Sequence, residues 1–423
     1  MKETLILWIK ELGLVCVCAI LGVAALALTY FIPRDRMKEN VWASAIAMHK
    51  EGLGSHIWQD IEETMLDTYT DGLIINVSYT ETKDGVRDIL LGTHVEVDGK
   101  NPMESLYEVA ALSNDNYTVK NYGRYWHGYQ VLMRPLLCFF TYSDIRQINM
   151  ILQLALVFGF VAGLAETREK VFIVPFFGMY VFLSPVSLCS SLQYSPCFYI
   201  TMLVLYALLT GRKKLTDRGR NYLFLLTGVW TAYFDFLTYP LITLGVPLIF
   251  CLALDGSRLP ENQRRGWKNL FLHTLSWGTG YVGMWSSKWV IASILTGENI
   301  IYDAFDAIAC RSGYFTEKHT YYDTLKLNLD VCNTKVILPA VICAAVCIVI
   351  FRIVNHIAIN RKLFPVVKTV LAVSLYPFFW YLFTKDHSSC HSYFTWRELG
   401  ISVFGIMTAG VIRIREFAEK NVG

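Results

Sequence analysis

The chain has 423 residues, of which 54% are hydrophobic, 14% aromatic and only 17% charged, whereas about a quarter of an ordinary soluble domain is charged. That balance excludes a typical soluble globular domain and predicts an all-α polytopic membrane protein. The net charge of +3 decides little, and no basic face interleaved with stacking aromatics is visible, so nucleic acid is not an expected partner.

Apolar stretches long enough for the hydrocarbon layer recur at 12–32, 144–165, 171–188, 194–210, 221–237, 239–254, 269–292, 335–354, 366–384 and 398–414. They predict about ten transmembrane helices with a large loop after the first. Segments 166–170, 211–220, 257–268, 355–362 and 413–420 are short and carry Lys or Arg. Placing them in the cytoplasm gives one consistent alternation with both termini inside. Segments 33–143, 293–334 and 385–397 then face outward from the cytoplasmic membrane, within a single membrane domain 1–423. The first helix reads as a retained anchor. Ala25-Leu26-Ala27 loosely mimics a cleavage site, but the apolar core is longer than the roughly 7–15 residues of a signal peptide. Cys16, Cys18, Cys251, Cys343 and Cys347 fall in apolar spans and read as small core residues. Cys310 and Cys332 share an outward segment and could pair in an oxidising compartment.

The loop 33–143 has a pattern of its own. Val41, Trp42, Ala45, Ile46 and Met48 predict an amphipathic interfacial helix over 37–51. Residues 90–99 alternate into a short strand ending at Asp98-Gly99, and 102–112 reads as helical. The aromatic cluster 121–129 precedes the apolar run 131–142, which Arg134-Pro135 interrupts and which is too short to span.

Three constellations could carry chemistry. In the acidic run 59–76, Asp67 and Asp71 are four apart and would share a helix face. Such a pair can divide the roles of base and metal ligand or hold one proton, although a solvated helix face explains the spacing as well. The second is Arg124, Trp126, His127 and Arg134, a planar phosphate fork beside a titratable ring and aromatics. An interfacial aromatic belt with snorkelling arginines is the competing reading. The third is the turn 385–398. His387 and His391 have the spacing of a helical metal pair but lack the Glu of a zinc-protease motif, and Arg397 opens the last helix where an anion could bind. Within spans, Asp235 and Lys288 could line a polar cavity.

The first helix, the large acidic outer loop, the many following helices and the polar outer turns resemble the plan of the C-type (GT-C) glycosyltransferases. The strings LDTYTDG, GRYWHGYQVLMRPLL and HSYFTWRELG are also similar to those of a group of bacterial multi-pass membrane proteins that brings no known activity. The first resemblance implies a polyprenyl-phosphate sugar donor, a glycan or glycolipid acceptor, and a loop carboxylate that acts as base or helps hold a divalent cation such as Mg or Mn. Asp35 lies just after the first helix, where that acid is expected, but Arg34 and Arg36 flank it and no acidic pair is formed. The resemblance then implies Asp67 or Asp35 as the base, Asp71 in a supporting or metal-holding role, and Arg124, Arg134 and Arg397 as candidates for the phosphate. Two other readings stay open: a transporter or flippase of a lipid-linked envelope precursor, and a non-catalytic membrane assembly factor.

Overall fold

The computed structural model describes residues 2–167, 169–258, 266–313, 318–332 and 363–412, with isolated positions between 339 and 349. The expected loop 355–362, the tail 413–420, most of the loop 257–268 and most of the span 335–354 lie outside the described residues.

A long first helix, α1 (Lys2–Thr29), leads into an inserted region holding α2 (Lys38–Glu51), α3 (Thr68–Tyr79), α4 (Gly85–Leu91), α5 (Pro102–Ala111) and α6 (Gln130–Leu137). Two three-residue strands, β1 (His94–Glu96) and β2 (Thr118–Lys120), pair antiparallel with Val95 opposite Val119. A helix over 38–51 and a short strand within 90–99, both expected in the loop, are thus present. Local chemistry sets the helix starts: Asp67 caps α3 by accepting from Thr70 N, and Asn101 caps α5 with Pro102 in its first turn. Met37, just before α2, and Val41, Ala45 and Met48 within it form a buried cluster with Ile74, Val77, Met103 and Leu106. This cluster continues into Ile145, which ties the inserted region to the next long helix.

That helix is α7 (Tyr142–Ala165), opened by a reciprocal capping box between Thr141 and Asp144. It is followed by α8 (Ile173–Phe182), α9 (Pro185–Ser190), α10 (Ser195–Gly211), α11 (Asp217–Phe234), α12 (Ile242–Arg258) and α13 (Gly266–Thr296). Beyond them lie α14 (Ile300–Ser312), α15 (Tyr321–Cys332), α16 (Phe364–Val373), α17 (Tyr376–Phe383), α18 (Lys385–Cys390), α19 (Ser392–Thr395) and α20 (Gly400–Ile412). A large apolar core joins α1, α7, α8, α10 to α13, α16 and α20. Helices α11 and α13 touch backbone to backbone: a Cβ on Gly228 would lie 2.1 Å from Trp277 O, and one on Gly280 would lie 2.0 Å from Leu225 O. Only glycine permits that approach.

The structure bears out the all-α class, with fewer long apolar helices than the ten expected spans. Among the described residues, three helices are long and apolar enough to cross a membrane: Trp8–Thr29, Tyr142–Ala165 and Phe364–Phe383. Lys170–Phe182, Ser195–Gly211 and Ile242–Gly256 are apolar but shorter. Helices α11 and α13 have the length, yet Asp217, Arg218, Arg220 and Asn221 dilute one, and Lys268, Asn269, His273 and Lys288 the other. The run 171–188 is broken at Ser184, which takes φ 56° before Pro185 starts α9. The proposed Cys310–Cys332 pair is also absent: both are free thiols, Cys310 exposed and Cys332 buried.

Candidate functional site

The site grows from the first turn of α3. Asp67 Oδ1 accepts from Thr70 N at 3.0 Å, while its Oδ2 is buried without a partner. Burial raises the carboxyl above its ordinary range, opposed by the Thr70 bonds and by the nearby positive charge of Arg397. One turn on, Asp71 is fully buried and saturated. It accepts from Ser191 Oγ at 3.1 Å, Leu192 N at 3.0 Å, Gln193 N at 2.9 Å and Tyr142 OH at 2.8 Å. Burial, aided by the charge of Asp67, still pushes it up to about 7. The pair therefore differs: Asp71 fastens the turn 191–193 and α7 to α3, and Asp67 keeps one buried oxygen without a hydrogen-bond partner.

Arg397 is the cation of this corner. It is fully buried, stacks over Tyr194 at 4.0 Å and lies 4.8 Å from the centre of the Trp396 ring. Its N–H groups donate to Leu183 O at 3.3 Å, Tyr393 O at 3.2 Å and Ser187 Oγ at 2.8 Å, three of the five donors of a guanidinium. Ser187 in turn donates to Glu63 O at 2.8 Å, so the acidic run and the distant turn are physically joined.

Beside this corner runs the non-helical stretch 235–241, where Leu237 has φ 67°. Asp235 Oδ2 accepts from Thr238 N at 2.9 Å, and Glu398 Oε1 accepts from Leu241 N at 3.0 Å. Gln193 Nε2 donates to Thr238 Oγ1 at 2.8 Å. His387 Nε2 lies 2.9 Å from Leu237 O, and burial holds its ring well below the usual histidine range. The neutral ring must therefore donate from Nε2, which leaves Nδ1 as an acceptor. His391 stands 4.7 Å away, centre to centre, and burial with Arg311 nearby lowers it to about 4. The two histidines do meet, but one already spends its Nε2 on a carbonyl.

The aromatic cluster packs against the start of the stretch 235–241, at Phe236. His127, in the left-handed region at φ 56°, is pushed down to about 3 by burial. Its neutral ring donates from Nε2 to Tyr122 O at 2.7 Å and accepts at Nδ1 from Tyr129 OH at 2.9 Å. Trp126 is buried, with Nε1 donating to Met284 O at 2.7 Å. Phe236, next to Asp235, packs on Tyr122, Tyr125, His127 and Tyr129. Tyr125 also meets Trp285 at 5.0 Å and carries the Arg311 guanidinium 5.5 Å above its ring.

The other expected residues serve elsewhere. Asp35 is exposed on the short turn Arg34–Arg36. Arg124 grips Asp303 at 2.9 and 3.1 Å. Arg134 is fully buried and bonds Thr29 O, Ser78 O and Ile32 O as well as the Glu81 carboxylate, tying α1 to α3. Lys288 donates to Leu90 O at the end of α4. Sequence reasoning missed Gln193, Tyr194, Tyr281, Arg311 and Glu398. Glu398 could have been found, since it directly follows Arg397. Nothing local marks Arg311, whose placement over Tyr125 comes only from the packing of α14.

Among the described residues no three His, Cys, Asp or Glu side chains gather as a metal site. With both Asp71 oxygens committed to four donors, the Asp67–Asp71 pair does not fit a divalent cation.

An apolar groove of about 720 Å³ adjoins the site. Leu132, Leu152, Leu203 and Trp230 line its open side, each substantially exposed. Its lining also includes Leu192, Gln193 and Phe236, residues bound to or next to Asp71 and Asp235. Compared with protein-family models, curated proteins and solved structures, the chain matches none.

Proposed function

We propose that the chain is a glycosyltransferase of the C type, taking a polyprenyl-phosphate sugar at the outer face of the bacterial cytoplasmic membrane for cell-envelope polysaccharide or glycolipid assembly. The full set of about ten membrane crossings, with both termini in the cytoplasm, belongs to this reading. The observation that carries it is the apolar groove ending at Gln193, one hydrogen bond from the Asp67–Asp71 pair. An isoprenoid tail suits such a groove, and a polar head would then lie among Asp67, Arg397 and the stretch 235–241.

In this reading the acceptor oxygen attacks the anomeric carbon while its proton passes to Asp67 Oδ2. The bond from that carbon to the phosphate oxygen breaks, and polyprenyl phosphate leaves with the electron pair, inverting the sugar. Burial supports the basicity of Asp67, and Arg397 keeps it ionised enough to act. Arg311, half-buried over Tyr125 beside His387 and His391, is the better-placed phosphate ligand. Arg124 and Arg134 already hold carboxylates.

Purified protein in proteoliposomes with a panel of labelled polyprenyl-phosphate sugars tests this. Asp67→Asn should lower transfer about 100-fold or more, the usual scale of a lost general base, and Asp35→Asn should leave it unchanged. Full transfer by Asp67→Asn removes the base. Movement of labelled lipid across the bilayer with no change in its mass replaces the reading with transport.

A further inference from the structure

Four buried side-chain oxygen atoms around the stretch 235–241 are left without a hydrogen-bond partner among the described residues. They are Asp235 Oδ1, Glu398 Oε2, Gln193 Oε1 and the Tyr281 hydroxyl. Their residues are 4%, 0%, 4% and 8% exposed. The bonds they do make, or the residues they pack on, place them together. Asp235 and Glu398 are held by Thr238 N and Leu241 N, three residues apart on one stretch. Gln193 reaches the same stretch through Thr238 Oγ1. Tyr281 stacks on Trp277 at 4.7 Å, and Trp277 Nε1 donates to Thr243, just beyond that stretch.

The cluster is short of positive charge. A buried carboxylate without a counter-charge is costly, and two within reach of each other cannot both ionise unaided. Arg397, next to Glu398 in sequence, directs its bonds to Leu183, Tyr393 and Ser187, and Lys288 directs its bond to Leu90. The other polar groups near the pair bring no cation: the Cys197 thiol hydrogen-bonds Asp235, and the Tyr239 hydroxyl donates to Tyr194 O. None of the four oxygens is open to water, so the missing charge must be small and bare.

We propose that Asp235, Glu398, Gln193 and Tyr281 bind one monovalent cation of sodium size. Two carboxylate and two neutral oxygens suit an alkali ion better than a transition metal, which would draw on a denser set of His, Cys and acidic ligands. Non-helical backbone beside the site fits as well, because unwound segments at membrane depth commonly hold such ions.

The test is thermal melting of the full chain in detergent, with sodium chloride titrated against N-methylglucamine chloride at constant ionic strength and pH 7.5. Native protein should gain a saturable stabilisation specific to sodium. Asp235→Asn and Glu398→Gln should lose it, and Tyr281→Phe should raise the half-saturating sodium concentration about tenfold, as for one lost contact to a charged group. Identical curves for native protein in the two salts overturn the proposal, because each carboxyl then carries its own proton. Should the acidic variants fail to fold, equilibrium binding of radioactive sodium to native protein decides, and no bound sodium overturns it. Neither readout involves sugar transfer, so the cation site stands or falls apart from the proposed activity.

Discussion

Asp71 shows how opposing effects at a single residue set a measurable property. Four donors favour its ionised form, while burial and the neighbouring Asp67 favour the neutral one, and burial wins. The folded carboxyl titrates at about 7 against an ordinary 3.8. Between those values the folded chain holds one proton more than the unfolded chain, so stability falls as pH rises. The contribution is fully present below about pH 4 and lost by about pH 7. Measured as melting temperature relative to Asp71→Asn, the native chain should therefore lose ground across that window. A relative gain would mean that the donors outweigh burial. The pairing of Asp67 with Asp71 was legible from their spacing, but their division of labour was not. It depends on where residues 191–193 lie, and no local pattern around Asp71 encodes that.

Among the elements, the seam between α11 and α13 positions the most chemistry. Gly228 lies against Trp277 and Tyr281, and Gly280 lies against Leu225 and Val229, so this contact sets the wall that carries Tyr281 and Trp285. Gly228→Ala forces a methyl group onto a backbone carbonyl that cannot yield cheaply, at about 1–3 kcal/mol for such overpacking. The expected result is a lower melting temperature in detergent, with a larger drop for Gly280→Val. Unchanged melting in both would mean that the seam is looser than the structure has it. Helix α2, α5 and the strand around Val95 were readable from periodicity and caps, because their signals are local. The break at Ser184, inside the expected run 171–188, was not readable, because that run looks continuous to a hydropathy window. The break around Leu237 falls where the expected spans 221–237 and 239–254 meet, but the left-handed backbone of Leu237 is not announced by its residue type.

At the scale of the whole molecule, long-range contacts rather than any one segment assemble the site. The acidic run, the aromatic cluster and the turn before the last helix were each visible in the sequence. The bonds from Arg397 to Ser187, and from Ser187 to Glu63, join the first to the third. The proposed orientation places Cys310 and Cys390, both exposed thiols, on the outer side. A membrane-impermeant maleimide should therefore label them in intact cells, and labelling only after permeabilisation would invert the topology. The apolar groove carries a last consequence. Its open side is formed by exposed Leu132, Leu152, Leu203 and Trp230, side chains that meet lipid rather than water when the surrounding helices sit in a bilayer. A molecule entering there arrives by diffusion in two dimensions, so its supply is governed by its mole fraction among the lipids and not by its amount per litre.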